Sequence, residues 1–217
     1  MEQCFFSTPY FETWIKHAHP QIKNWFEREI DYLKTSIPPN SRILDVGCGF
    51  GRHIALLAPM AKEIIGIDNS SYMIDKAKNQ LSHHSNVQLL KQDIEKLSFA
   101  ADHFDYVICM TNTFGDFIEK KERAISEMAR VCKPNGTVVI SVYSNNALKV
   151  RLEDYKKVGL TIREVKGKRI YTDQGLVSEQ FCEQELTDLF VKHSLTSKIS
   201  NPNEISILCE GRKSSSA

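Results

Sequence analysis

The sequence predicts an α/β protein whose core is a doubly wound, mostly parallel sheet. Short apolar runs of strand length alternate with helical patterns from residue 42 to residue 158. Glycines at alternate positions, Gly47, Gly49 and Gly51, join the first apolar run to the first helical pattern. An acidic residue also lies at or near the end of each of the first three runs. Such alternation places parallel strands side by side with right-handed crossovers.

Composition and charge exclude several other classes. The 217 residues carry 28 basic and 27 acidic side chains, a net charge of +1, so no overall field favours nucleic acid or an anionic membrane. No apolar run approaches the roughly 20 residues that span a bilayer, and the first residues lack the layout of a secretion signal. The six cysteines form no C-x-x-C pair, so we expect no metal site. We therefore expect a cytoplasmic protein that does not bind a membrane.

A single domain is expected from residue 1 to residue 213, followed by a mobile polar tail at residues 214–217. Residues 1–36 carry apolar side chains at helical spacing, which predicts an N-terminal helical cap. Residues 160–181 contain short β-like runs separated by polar turns, which predicts a small β insertion before the sixth strand. A last helix and two more strands then complete the predicted domain.

The stretch richest in chemistry is the glycine turn after the first strand. Three apolar residues, Ile43, Leu44 and Val46, precede it and are interrupted only by Asp45. Glycine accepts positive φ and lets a ligand approach the backbone without a Cβ in the way. The following helix presents unpaired N–H groups and the positive end of its dipole to an anion. The turn therefore predicts a ligand site that backbone groups, including that of Cys48, contact.

This turn resembles motif I of the class I S-adenosylmethionine-dependent methyltransferases, whose acidic-x-Gly-x-Gly-x-Gly pattern is matched by Asp45, Gly47, Gly49 and Gly51. The resemblance implies a Rossmann-like sheet of seven strands with an antiparallel last strand. It also implies S-adenosylmethionine as cofactor and S-adenosylhomocysteine as product. A dinucleotide-binding turn is the main rival, but its third glycine would fall where Arg52 stands. A turn that binds nothing is the remaining alternative.

Acids at the ends of later strands extend the predicted cofactor site. Asp68 ends the second predicted strand, where a carboxylate can accept both hydroxyl hydrogens of a ribose. The alternative is that Asp68 caps the next helix, although Asn69 and Ser70 lie nearer for that role. Asn69 is included in the predicted site. The resemblance implies that Asp93 accepts from the adenine amino group and that the backbone N–H of Ile94 meets a ring nitrogen.

Three further residues complete the predicted cofactor site. The resemblance places Met73 near the adenine, although Met73 could simply be core. Arg52 could pair with the methionine carboxylate or an acidic acceptor, or be an exposed helix arginine. Met110 ends the fourth strand, and the segment from there to Asp116 should face the methyl group, because ligands of open α/β sheets bind outside the carboxyl ends of the strands. The polar side chains of that segment could instead only shape a turn.

The function predicted from these residues is methyl transfer from S-adenosylmethionine to an unidentified small or medium-sized acceptor. A nicotinamide-dependent oxidoreductase and a non-catalytic cofactor-binding protein are the alternatives. A small-molecule acceptor is expected, while the basic segment 156–169 leaves RNA or a protein open. No catalytic base and no oligomeric state are assigned. Side chains that could contact the acceptor, if they are not simply packed, are Tyr10, His17, His19, Tyr171, Glu179 and Phe181.

Overall fold

The computed structural model describes residues 10–214, with the side chain of Tyr10 excluded. The first nine residues of the predicted cap and the last three of the predicted tail therefore lie outside the described residues. The strands are β1 Arg42–Val46, β2 Glu63–Asp68, β3 Val87–Lys91, β4 Phe104–Cys109, β5 Cys132–Tyr143, β6 Ile162–Lys166, β7 Arg169–Thr172, β8 Val177–Glu179, β9 Lys198–Ser200 and β10 Ser206–Arg212. The α-helices are α1 Tyr10–His17, α2 Pro20–Ser36, α3 Arg52–Leu57, α4 Ser71–Leu81, α5 Lys121–Val131, α6 Leu148–Lys157 and α7 Glu183–Lys192.

A seven-stranded sheet has the order β3-β2-β1-β4-β5-β10-β9. The strands from β1 to β5 pair in parallel, whereas β10 runs antiparallel to both β5 and β9. The predicted α/β class, with a mostly parallel sheet and an antiparallel last strand, is confirmed. The carboxyl ends of β1, β2, β4 and β5 consequently lie along one edge of the sheet, where the chain turns into loops and helices.

The predicted β insertion is a separate three-stranded antiparallel sheet, in the order β6-β7-β8. It lies between α6 and α7 in the chain, before the sixth strand of the main sheet. The tight connection between its first two strands contains Gly167 at φ +58°. The small sheet therefore adds to the main sheet without interrupting its strand order.

One strand begins earlier than the sequence pattern indicates. The Lys-Pro-Asn-Gly sequence at residues 133–136 is typical of a turn before a strand that begins at Thr137, yet β5 begins at Cys132. Cys132 pairs with Phe104, and a bulge follows before Thr137 pairs with Tyr106. Asn135 adopts φ +63° within this bulge, so the turn residues are accommodated inside the strand instead of preceding it.

Apolar side chains cover the sheet on both faces. One cluster packs α5 and α7 on the sheet, and a second packs α3, α4 and the end of α2 on it. A third cluster joins α1 and α2 to α6 and the small sheet. Across residues 10–214, no helix combines the length and apolarity needed to cross a membrane.

Candidate functional site

A cavity of about 410 Å³ opens at the carboxyl edge of the main sheet. Its volume lies within the range of roughly 300–1,000 Å³ typical of small-molecule sites. The structure brings all the predicted cofactor residues except Asp45 to its wall. Those lining it are Gly47, Cys48, Gly49, Arg52, Asp68, Asn69, Met73, Asp93, Ile94 and Met110.

The glycine turn packs tightly against the loop that follows β4. Gly47 has φ +69°, and a Cβ built there would overlap the Cγ2 atom of Thr113. Two constraints therefore demand glycine at this position, the left-handed backbone and the close approach of the neighbouring loop. Burial, then Asp45 and Asp68, raise the pKa of the adjacent Cys48 thiol well above its usual value, which favours the protonated thiol.

Asp68 braces the glycine turn. Its Oδ2 accepts a hydrogen bond from the Gly49 N–H at 3.0 Å, and its Oδ1 accepts one from the Ser70 N–H at 2.8 Å. Each carboxylate oxygen has two lone-pair sites, so both keep capacity for a further donor. Burial raises the pKa of Asp68, and these backbone N–H groups oppose that shift. The cap of α4 is formed by Ser70, whose hydroxyl accepts from the backbone of Met73, so the capping alternative for Asp68 is not observed.

Asp93 lies at the outer rim of the cavity. Its side chain is about half exposed and its Oδ2 accepts from Lys120 at 2.6 Å. The hydrogen bond from Lys120, together with one from the backbone of Glu95, lowers the pKa of Asp93. Met73 and Ile94 are buried, line the same cavity and supply an apolar surface. The rim thus combines an ionised carboxylate with apolar walls, a suitable environment for a flat, polar-edged ring.

Arg52 does not project freely into the cavity. Its guanidinium stacks 4.6 Å from the centre of the Phe26 ring and donates to the hydroxyl of Thr111 at 2.6 Å. The carboxylate of Glu29 lies 3.5 Å from the same nitrogen. Arg52 is therefore not an exposed helix arginine, and it is anchored to α2 and to the loop after β4.

Sequence reasoning missed Glu29, a fully buried carboxylate on α2. It accepts from the Thr111 N–H at 2.8 Å and from the Thr111 hydroxyl at 2.7 Å. Burial raises its pKa, but the side chain of His53 and the charge of Arg52 outweigh this, and the pKa lies below its usual value. A signal was present, since Glu29 follows Trp25 and Phe26 at helical spacing inside the apolar stripe of α2.

The loop after β4 is held in an uncommon conformation. Thr111 and Asn112 have φ values of +52° and +61°, both unusual for residues with a Cβ. The side-chain amide of Asn112 accepts from the backbone of Tyr143 at 3.0 Å and donates to the hydroxyl of Ser178 at 2.9 Å. One asparagine thus connects the end of β5 to the small sheet. Strained backbone fixed by such contacts is typical of a functional loop.

The small sheet contributes different residues from those predicted. Tyr171, Glu179 and Phe181 do not line the cavity, whereas the segment 175–178 does. Glu179 is fully buried and forms ion pairs with Lys121, Lys168 and Arg169. Lys168 and Arg169, two cations of the basic segment 156–169, therefore neutralise the internal carboxylate of Glu179. A sequence pattern does not show these ion pairs, because their partners are separated along the chain.

The N-terminal helices contribute aromatic walls. Phe11 and Trp14 line the cavity, and the Trp14 indole donates to the buried carboxylate of Asp154 on α6. The predicted contacts His17 and His19 do not line it. His17 is exposed, and His19 caps α2 by accepting from Gln21. For Tyr10, the third predicted contact, the side chain lies outside the described part of the chain.

Asp45 is buried away from the cavity wall, with only 1% of its surface exposed. Its Oδ2 has no hydrogen-bond partner among residues 10–214. Burial raises its pKa to about 7; the charge of Arg52 opposes the shift, and the charges of Asp68 and Glu29 add to it. The described residues also contain no cluster of three or more histidine, cysteine or acidic side chains arranged to hold a metal ion.

Comparison with known proteins was consistent with this arrangement. Residues 43–136 match a family model described as a methyltransferase domain. The chain is 34% identical over 119 residues to the ubiquinone biosynthesis O-methyltransferase of Coxiella burnetii. This alignment covers 54% of this chain and 50% of that protein. It is 33% identical over 129 residues to the ubiquinone/menaquinone biosynthesis C-methyltransferase UbiE of Geotalea daltonii, covering 56% and 53% respectively. The chain thus spans about half the length of the curated relatives it matches.

The same fold occurs in the PH0226 protein of Pyrococcus horikoshii. The two structures superpose with a TM-score of 0.75 at 23% identity, covering 96% of this chain and 97% of that one. The segment matched by the family model contains the glycine turn and all three strand-end acids. That segment therefore matches a methyltransferase domain, in agreement with the S-adenosylmethionine-dependent family that the glycine turn resembles.

Proposed function

We propose that this protein transfers the methyl group of S-adenosylmethionine to a small-molecule acceptor. The observation that carries the proposal is the position of Asp68 and the glycine turn on one cavity wall, with Asp93 at its rim. The ribose hydroxyls would donate to Asp68, whose oxygens are already oriented by Gly49 and Ser70. The adenine would lie against Met73 and Ile94, with its amino group toward Asp93.

The cofactor supplies an already activated methyl group on a sulfonium. The main task of the protein is therefore to hold the nucleophile in line with the methyl carbon, and positioning of this kind can lower a barrier by about 7–11 kcal/mol. The strained loop beginning at Thr111 is suited to this task because Glu29 holds Thr111 and the side chain of Asn112 bonds to the small sheet.

The walls of the cavity favour a small acceptor. Phe11 and Trp14 of α1 and the segment 175–178 of the small sheet form walls around it. An RNA acceptor would need a basic surface beside the cavity, yet no residue of the basic segment 156–169 lines it, and Lys168 and Arg169 are paired with the internal Glu179. The cytoplasmic location remains a prediction from the sequence.

Isothermal titration calorimetry with S-adenosylhomocysteine tests the cofactor assignment. Asp68→Ala should weaken binding at least about tenfold, because a hydrogen bond to a charged group contributes about 1.5–3 kcal/mol. Asp75→Ala, at an exposed aspartate on α4, is the matched control and should bind normally. Unchanged affinity in Asp68→Ala would contradict the assignment.

Two further measurements separate the rival functions. Thermal stabilisation by S-adenosylhomocysteine, but not by NAD or NADP, is expected of a methyltransferase, because a ligand that binds only the folded state raises its stability. Stabilisation by a nicotinamide dinucleotide alone would favour the oxidoreductase. Production of S-adenosylhomocysteine during an acceptor screen would exclude the non-catalytic alternative.

A further inference from the structure

The cavity extends beyond the predicted cofactor residues, toward the ends of β4 and β5. Neighbouring strands lie about 4.8 Å apart, so the end of β5 is two strand spacings from the glycine turn at the end of β1, or roughly 10 Å. Asp116, Tyr143, Tyr155 and Ser178 line this part of the cavity. We call these four residues the acceptor end. Only Asp116 belongs to a segment that the sequence places near the methyl group; the other three residues have no role assigned from the sequence.

We propose that the acceptor end binds an uncharged, planar, largely apolar molecule through an O–H or N–H group, whose proton Asp116 accepts during methyl transfer. This inference rests on the proposed methyltransferase function and deepens it. Asp116 would be a catalytic residue, and Tyr143 would bind a polar atom of the acceptor.

An unpartnered phenol is the first observation that points to a ligand. Tyr143 is the last residue of β5 and is only 1% exposed. Its hydroxyl has no hydrogen-bond partner within the part of the chain that the structure describes, although the residue lines the cavity. A buried hydroxyl without a hydrogen-bond partner carries a free-energy penalty. An acceptor with a polar atom at this point would remove that penalty.

The surroundings of Asp116 form the second observation. Asp116 ends the 3-10 helix Thr113–Asp116, which follows directly from the strained loop, so its backbone is fixed by the same contacts. The titratable, charged and hydroxyl groups that face it come from four elements. They are Cys109 on β4, Tyr143 on β5, Arg151 and Tyr155 on α6, and Ser178 on β8.

Arg151 connects Tyr143 to the small sheet at this end of the cavity. It is fully buried and donates to the Ser178 carbonyl at 2.7 Å and to the Gln180 side chain at 3.0 Å. Its guanidinium also stacks on the ring of Tyr143, 4.8 Å from the ring centre. These contacts hold the tyrosine ring and the small sheet in place, and Asp116 lines the cavity beside them.

The protonation of Asp116 suits a proton acceptor. Burial raises its pKa to about 8, against the opposing effects of Arg151 and Ser178. A carboxylate with a raised pKa is a stronger base than an ordinary aspartate. A cationic cofactor bound nearby would lower this pKa again, because an opposite charge favours the ionised form. Asp116 would then be ionised when the methyl donor is present.

The remaining walls indicate the body of the acceptor. Trp14, Phe117, Leu176 and Val177 line the cavity with aromatic and aliphatic surface. Such walls favour a flat, uncharged molecule, since burying a charged one here would carry a large desolvation penalty.

The proposed step balances in atoms and charge. The acceptor O–H or N–H transfers its proton to the Asp116 carboxylate, while the oxygen or nitrogen lone pair forms a bond to the methyl carbon. The bond between sulfur and methyl breaks, and its electron pair stays on sulfur as a neutral thioether. Protonated Asp116 later releases its proton to solvent.

Phenol binding to the protein saturated with S-adenosylhomocysteine tests the proposal, with anisole as the matched probe that lacks the O–H. Ligand-observed NMR titration should show phenol binding more tightly than anisole. Phenol affinity should rise from pH 6 to pH 9 as Asp116 ionises, because charge-assisted hydrogen bonds are the stronger ones. Asp116→Asn should lower phenol affinity about tenfold at pH 9 and abolish the pH dependence, and Tyr143→Phe should keep that dependence.

Each outcome bears on a single claim. Asp116→Asn should bind S-adenosylhomocysteine as the wild type does, which shows that the variant is folded. Absence of phenol binding, equal binding of phenol and anisole, or a pH dependence that survives in Asp116→Asn would overturn the acceptor proposal. A wild-type protein that fails to bind S-adenosylhomocysteine would instead overturn the proposed function.

Discussion

The buried carboxylate of Glu29 offers a sharp test of how the cavity is built. Glu29→Gln keeps the size of the side chain but replaces one acceptor oxygen with an NH2 group. The Thr111 hydroxyl then loses its acceptor, and Arg52 loses the negative charge 3.5 Å from its guanidinium. Both groups lie on the cavity wall, so the change should affect stability and cofactor binding together.

The expected loss follows from these contacts. An unsatisfied buried donor destabilises by about 1–3 kcal/mol, and removing one partner of a buried ion pair by about 3–5 kcal/mol. Because glutamine preserves one acceptor for the Thr111 N–H, we expect a loss of about 3 kcal/mol in the free energy of unfolding at pH 7. Affinity for S-adenosylhomocysteine should also fall, since the strained backbone of Thr111 would no longer be fixed.

The pH dependence supplies a second readout. The folded-state pKa of Glu29 is lowered, so its contribution is present above the unfolded pKa and disappears as pH falls through the folded one. The stability difference between wild type and Glu29→Gln should therefore shrink in acid. Urea denaturation at pH 7 and at lower pH measures it, with Glu27→Gln, exposed on the same helix, as control. A loss below about 1 kcal/mol, or one independent of pH, would refute the reasoning.

Two further predictions concern the glycine turn and its acid. Gly47→Ala should destabilise by about 1–3 kcal/mol more than Gly167→Ala, because both have positive φ but only a Cβ at residue 47 meets Thr113; equal losses in chemical denaturation would contradict this. Asp45 has a folded pKa raised to about 7, so its contribution to stability is full below its unfolded pKa and is lost as pH rises toward 7. Asp45→Asn should therefore become more stable relative to wild type between pH 4 and pH 8, by at most about 4 kcal/mol, and a constant difference across that range would argue against it.

The parts of the fold that follow from local pattern were predicted well. The β2 strand, the glycine turn and the helix after it are read from residues adjacent in sequence, and β2 ends at Asp68 as predicted. The antiparallel β10 strand came from the family resemblance and is confirmed. The early start of β5 was missed because Cys132 is recruited by pairing with Phe104, a contact between distant parts of the chain.

The candidate site divides in the same way. Asp68 lies at a strand end, so topology alone places it at the ligand edge. Two of the missed residues bond to partners remote in sequence: Glu29 bonds to Thr111, and Asn112 bonds to Ser178. Tyr143 lines a cavity that distant segments of the chain form together. Burial of Glu29 was detectable from helical spacing, but its partner was not, because nothing in the pattern places α2 over the loop after β4.

The two ends of the cavity have different origins along the chain. The cofactor end, which holds the predicted cofactor residues from Gly47 to Met110, lies within the matched residues 43–136. The acceptor end adds Tyr143, Tyr155 and the segment 175–178, all beyond that match. Asp116 lies inside the matched segment and faces these outer residues. We therefore expect Asp116 to serve the reaction that related methyltransferases share, and the outer residues to select the acceptor. Because the small sheet leaves the order of the main strands intact, substitutions in segment 175–178 should change which acceptor binds while leaving affinity for S-adenosylhomocysteine unaltered.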